Sequence, residues 1–174
     1  MKETLAAIKD RFSTRGYTDE KLTQEELDTI LTAGLQAPTA ANRQEIHFTV
    51  IEKGNPILDE LQTELLKGRP NAGKSFYYGA PVLMILSGPE SFRWSACDAG
   101  IAVQNMALAA ESLGLGSLII GCIYDAMTGE KKAYFNEKLQ IPVGNVYQVA
   151  FAVGHKDFAK EPHTYSMEKN VTKL

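Results

Sequence analysis

From Ile101 to Leu113 the chain is apolar nearly all the way round a helix, with Asp98 as its expected cap and Gly114 as its expected terminator. A helix without a polar face has to be covered on every side, so it belongs inside a layered domain rather than on its surface. Pro81 to Ser87 makes the same demand of a strand: a continuous apolar run, bounded by Gly79-Ala80-Pro81 and Gly88-Pro89, suits a central strand buried on both faces. A chain of 174 residues, 44% of them hydrophobic, can supply that cover in a single domain, since about 150 residues per domain is usual.

The remaining periodicity supplies the cover. Leu5, Ile8 and Phe12 share a helical face ahead of a polar strip that ends at Gly16. Thr23 and Glu26 form a capping box for an amphipathic helix through Leu27, Ile30, Leu31 and Gly34 that stops near Ala37-Pro38. His47 to Ile51 reads as a strand, and Asn55-Pro56 opens a third helix through Ile57, Leu58, Leu61 and Leu65, with Gly68 just past its end. Ser117 to Ile123 and Val146 to Val153 are two further strands, separated by a helix that begins near Thr128 and carries Tyr134, Phe135 and Leu139. Five helices and four or five strands follow, without repeats or a linker, in one layered α/β or α+β domain.

Composition narrows the function. With 18 Lys plus Arg against 21 Asp plus Glu, a formal charge of -3, no basic excess favours nucleic acid. No apolar run reaches the ~20 residues of a membrane span and the N-terminus lacks a signal-like apolar region, so a cytoplasmic chain is expected. Cys97 and Cys122 form no Cys-x-x-Cys pair and are expected to be small buried hydrophobes. His47, His155 and His163 lack metal-ligand spacing, and neither a paired carboxylate motif nor a G-x-S-x-G elbow occurs.

Gly68-Arg69-Pro70-Asn71-Ala72-Gly73-Lys74-Ser75 satisfies the P-loop expression in full. Its neighbours do not. A P-loop needs a strand running into the first glycine and a helix starting at the lysine, whereas a helix precedes this segment and Gly79 and Pro81 follow closely. A basic loop is the reading its context favours. Gly114-Leu115-Gly116 with Gly121 likewise runs from helix to strand, the reverse of a dinucleotide fingerprint.

Arg11, Ser13 and Arg15 stand at i, i+2 and i+4, so in an extended segment all three point to one side. Two guanidinium groups and a hydroxyl aimed together suit a phosphate, although a solvated charge cluster has the same pattern. Taken with Ala37-Pro38-Thr39-Ala40-Ala41-Asn42-Arg43-Gln44, the strip resembles the nitroreductase family of FMN-dependent oxidoreductases. The family pattern is R-x-S-x-R after the first helix, A-P-S/T-x-x-N-x-Q after the second, and later an enclosed D-x-G-x-A-x-Q-N-x-x-L-A-A-x-x-L-G-L-G helix. Asp98 to Gly116 reproduce the last almost throughout, and Ile119-Ile120-Gly121 and Val149-Ala150-Phe151-Ala152-Val153-Gly154 are similar to its final strands.

The resemblance implies an α+β, three-layer α/β/α fold around a mixed, mainly antiparallel sheet, and a homodimer with FMN at the subunit interface. It implies Arg11, Ser13 and Arg15 at the phosphate and the pyrimidine edge. Pro38, Thr39 and Ala40 would reach the flavin from the other protomer, supported by Asn42, with Ile120 and Gly121 beside the ring edge and Asn71 and Lys74 near its polar edge. NADH or NADPH would donate hydride and a nitroaromatic, quinone or similar small acceptor would receive it. A same-fold flavoprotein with other chemistry, a flavin carrier and a P-loop hydrolase are the competing readings. Glu45-Ile46 replace the Pro-Trp common in the family, which changes one wall beside the site. Lys156, Lys160, His163 and Lys169 compete for the family's C-terminal phosphate cation.

Overall fold

The computed structural model describes residues 3–69 and 75–174. One four-stranded sheet divides the molecule, in the order β1 (His47–Glu52), β2 (Val82–Pro89), β4 (Asn145–Gly154) and β3 (Gly116–Ile120). All its ladders are antiparallel. The parallel component is a bridge from Ser13 to Ser117 on the free edge of β3.

The alternation of β2 explains the layers. Val82, Met84 and Leu86 face α2 (Gln24–Leu35) and α4 (Ser95–Ser112), while Leu83 and Ile85 face α3 (Pro56–Gly68), α5 (Tyr124–Thr128) and α6 (Lys132–Lys138). A strand between two helical layers has no wet side, hence its unbroken apolar sequence. The result is the expected three-layer α/β/α arrangement. Helix α1 (Thr4–Asp10) leads into the strip, and a short α7 (Met167–Asn170) lies in the tail.

Helix α2 starts where the capping box requires: Thr23 Oγ1 accepts from the Glu26 N–H at 3.2 Å, and the Glu26 carboxylate accepts from the Thr23 N–H at 2.8 Å. Thr23→Ala is expected to lower stability by about 1 kcal/mol, read by urea denaturation, because it leaves an orphan donor at the helix start.

Five expectations are corrected. Asp98 is not the α4 cap: the helix begins at Ser95, and Asp98 lies inside its first turns. Leu5 and Ile8 are 79% and 47% exposed while Ala7 is buried, so α1 turns the opposite face inward. The strand after Ser117 stops at Ile120, because Gly121 begins a turn closed by the Tyr124 N–H. The helix expected from Thr128 is two helices, broken at extended Gly129. Cys97 is exposed and Cys122 partly so, so neither is a buried hydrophobe. Burial pushes the Cys122 thiol up, which keeps it neutral.

Candidate functional site

The strip is extended along the free edge of β3, where the Thr14 N–H donates to the Ser117 carbonyl at 2.8 Å. Its even residues turn inward. Thr14 is 1% exposed, and Phe12 meets the Phe158 ring at 5.5 Å between centroids. By the two-residue period of an extended chain, Arg11, Ser13 and Arg15 fall on the other side. Arg15 reaches the Tyr78 ring at 6.0 Å and the Ser13 carbonyl at 3.4 Å. Among the described residues no carboxylate pairs with Arg11 or Arg15. Acidic residues outnumber basic ones in this chain, so two unpaired guanidinium groups four residues apart leave a local positive field suited to an anion.

Tyr17 fixes the strip from behind: its hydroxyl donates to the Thr14 carbonyl at 3.2 Å. Burial pushes its phenol well up, against a smaller downward pull from Arg15, so it remains a donor.

Ile120 ends the same strand at its far end, and Gly121 follows it. The Ile120 side chain is buried in the core, and its carbonyl accepts from the buried Tyr147 hydroxyl at 2.9 Å. Desolvation raises the Tyr147 phenol as well. Gly121 is exposed, and a Cβ there would meet nothing within 4 Å, so its backbone borders open space. Tyr147 was not legible as part of this site, because nothing in an apolar strand marks which tyrosine points at which carbonyl.

Pro38, Thr39, Ala40 and Asn42 form a turn between α2 and β1, exposed at Pro38 and Asn42 and half-buried at Thr39 and Ala40. Within it Ala41, Asn42 and Gln44 take φ of 54°, 52° and 53°, the left-handed region that non-glycine residues avoid. Side chains hold it there. Thr39 Oγ1 accepts from the Gln44 N–H at 3.0 Å, Asn42 Oδ1 accepts from Gln44 Nε2 at 2.9 Å, and buried Asp98 accepts from the Ala40 N–H at 3.0 Å. Asp98 therefore supports the turn rather than capping its own helix. Arg43 pairs with Glu45 and lies over the Phe92 ring at 4.4 Å, which joins the β2–α4 connection to the turn.

The two groups do not meet within one copy. The turn is tied to Asp98 near the start of α4, whereas the strip packs beside Lys156 and Glu111 near its end, about 20 Å further along the helix axis. Asn71 and Lys74 lie outside the described residues. The segment's neighbours are a helix up to Gly68 and a turn from Ser75 into β2, not the strand and helix of a P-loop. Of the C-terminal cations, Lys156 is bonded to Glu111, while Lys160 and Lys169 are exposed. No group of His, Cys, Asp and Glu suited to a metal occurs among the described residues, and no described helix is long and apolar enough to cross a membrane.

Comparison with known proteins gives a consistent result. The family model described as the nitroreductase family matches residues 8–155. An FMN reductase [NAD(P)H] of Bacillus subtilis is 34% identical over 145 residues, covering 71% of this chain and 55% of the relative. An FMN reductase (NADPH) of the same organism is 29% identical over 172 residues, covering 89% and 66%. The chain thus spans between about half and two thirds of these relatives' lengths. A crystal structure of a nitroreductase with bound FMN from Desulfitobacterium hafniense is 28% identical and superposes with a TM-score of 0.87, covering 100% of this chain and 99% of that one. One from Bacteroides fragilis, also with bound FMN, has a TM-score of 0.87 at 25% identity, covering 100% of both.

Proposed function

The chain belongs to the nitroreductase family, and from that premise we propose that it is an FMN-dependent NAD(P)H oxidoreductase working as a homodimer. The observation that carries the reading is the pair of guanidinium groups, Arg11 and Arg15, aimed to one side of the strip with no carboxylate partner among the described residues. A phosphorylated flavin fits that donor set: the guanidinium groups and the Ser13 hydroxyl match phosphate oxygens and the pyrimidine edge, and the open backbone at Gly121 admits a ring edge. When bound, FMN supplies the redox chemistry, accepting hydride from NADH or NADPH and delivering it to a nitroaromatic, quinone or similar small acceptor in a ping-pong cycle.

The protein's part is positioning and charge. Arg11 and Arg15 hold the anionic tail and favour negative charge on the reduced ring, while Ile120 and Gly121 border its edge. Asn71 and Lys74 are proposed at the polar edge. Pro38, Thr39 and Ala40, backed by Asn42, close the site from the second copy. Two features support that copy: the turn and the strip stand at opposite ends of α4, and Leu5, Ile8 and Ile119 expose apolar surface at 79%, 47% and 40%. The strained turn is what a partner-facing clamp needs, since its left-handed residues are held by hydrogen bonds before any ligand arrives.

The purified protein is expected to be yellow, to release FMN on denaturation as identified by chromatography, and to oxidise NADH or NADPH with a quinone or nitro acceptor. A folded, colourless protein that takes up no added FMN would refute the reading. Bound flavin that neither nicotinamide can reduce would favour a flavin carrier instead.

A further inference from the structure

We propose that the partly buried Glu111–Lys156 ion pair is a positioning device for the strip, and that it sets how strongly the protein prefers phosphorylated over unphosphorylated flavin. The inference rests on the reading of Arg11, Ser13 and Arg15 as the phosphate-binding element.

Glu111 is the penultimate residue of α4, with a side chain 4% exposed, and its two carboxylate oxygens accept from Lys156 Nζ at 3.0 and 3.3 Å. A carboxylate there faces the negative end of the helix dipole and has left water, so it weakens α4 unless its cation stays in place. Stabilising the helix does not explain it. Lys156, two residues beyond β4, meets the strip at Phe12 and flanks it at two further points. Its Nζ lies 5.5 Å from the centre of the Phe12 ring, its backbone bridges Tyr17, and its Cβ shares with Thr14 the space over Gly116. A Cβ on Gly116 would lie 2.6 Å from Thr14 Oγ1 and 2.9 Å from Lys156 Cβ, so Thr14 and Lys156 both pack closely on the Gly116 backbone.

Phe12 and Thr14 are the inward residues of the strip. In an extended chain the direction of the even side chains fixes that of the odd ones, so anchoring Phe12 on Lys156, and Thr14 beside Lys156 on the Gly116 backbone, aims Arg11, Ser13 and Arg15. Glu111 holds Lys156 in that position and keeps it from swinging out to the anion itself.

The test is the ratio of dissociation constants for FMN and riboflavin, measured by fluorescence on the flavin-stripped full chain. Four variants are compared with the parent: E111Q, K156M, K156R and the double variant E111Q/K156M, which removes both charges of the pair. E111Q, K156M and the double variant are expected to cut the preference for FMN by about tenfold, the scale of one charge-assisted contact, with riboflavin affinity unchanged. K156R should restore it. An equal loss for both flavins, or an unchanged ratio in the double variant, would mean that the pair is merely structural and overturn the proposal. Tighter FMN binding in E111Q would make Lys156 a direct phosphate ligand and overturn it too. If K156M alone fails to fold, the double variant decides. A parent protein that binds neither flavin would sink the flavin reading, which is a different outcome.

Discussion

Arg11→Ala is expected to weaken FMN retention by about 1.5 to 3 kcal/mol, roughly ten- to hundredfold in dissociation constant. Among the described residues the Arg11 side chain has no carboxylate partner, so its removal subtracts cation from the site without freeing an acid there. Its backbone N–H, which donates to the Ala7 carbonyl at 3.0 Å and closes α1, survives the substitution. The loss should therefore appear in binding and not in the melting temperature of the flavin-free protein. Arg11→Lys should fall between the two, since an ammonium keeps the charge and loses the bidentate fork. Salt gives a second readout: raising ionic strength should weaken FMN binding less in the alanine variant than in the parent. Flavin released on dilution, followed by its fluorescence, measures all of these. Unchanged retention would remove Arg11 from the site and leave the fold as described.

The extended course of the strip beside β3 is observed, and it gives the i, i+2, i+4 spacing a common side because that signal is local. The layers were legible for the same kind of reason. A run such as Val82 to Leu86 has no amphipathic alternative, and the capping box of Thr23 and Glu26 carries its partner three residues away. What failed depended on distance along the chain. Asp98 looked like a cap because acids before an apolar helix usually are, but its partner is the Ala40 N–H, 58 residues earlier. Lys156 is one of four candidate cations in the tail by sequence alone, and its bond to Glu111, 45 residues away, accounts for its charge. Leu5 and Ile8 looked like an inward face; periodicity identifies a stripe without saying whether this chain or a second copy covers it.

Phe151→Ala is expected to have the largest effect on stability, about 3–5 kcal/mol. Phe151 is 0% exposed on β4, between Met84 of β2 and Ile119 of β3, and its ring belongs to the cluster that includes α4. The α4 residues of that cluster are mostly small: Ala99, Ala102, Ala107 and Ala110, with Val103 and Met106. Alanines have no side chain to swing into a vacated ring volume, and β4 is held by ladders on both sides, so neither wall can collapse. The loss should sit at the high end of the range for that reason. Because folded domains are stable by only about 5–15 kcal/mol, it would consume a large share of the total. Chemical denaturation of the flavin-free protein measures it, and excess FMN should recover part of the loss by binding the folded state alone. The contrast with Arg11→Ala is diagnostic: the core variant lowers stability and keeps its preference for FMN over riboflavin, whereas the strip variant does the reverse. A Phe151→Ala loss under about 1 kcal/mol would show that α4 moves in to fill the gap, and that the enclosed helix is not held as firmly as its packing implies.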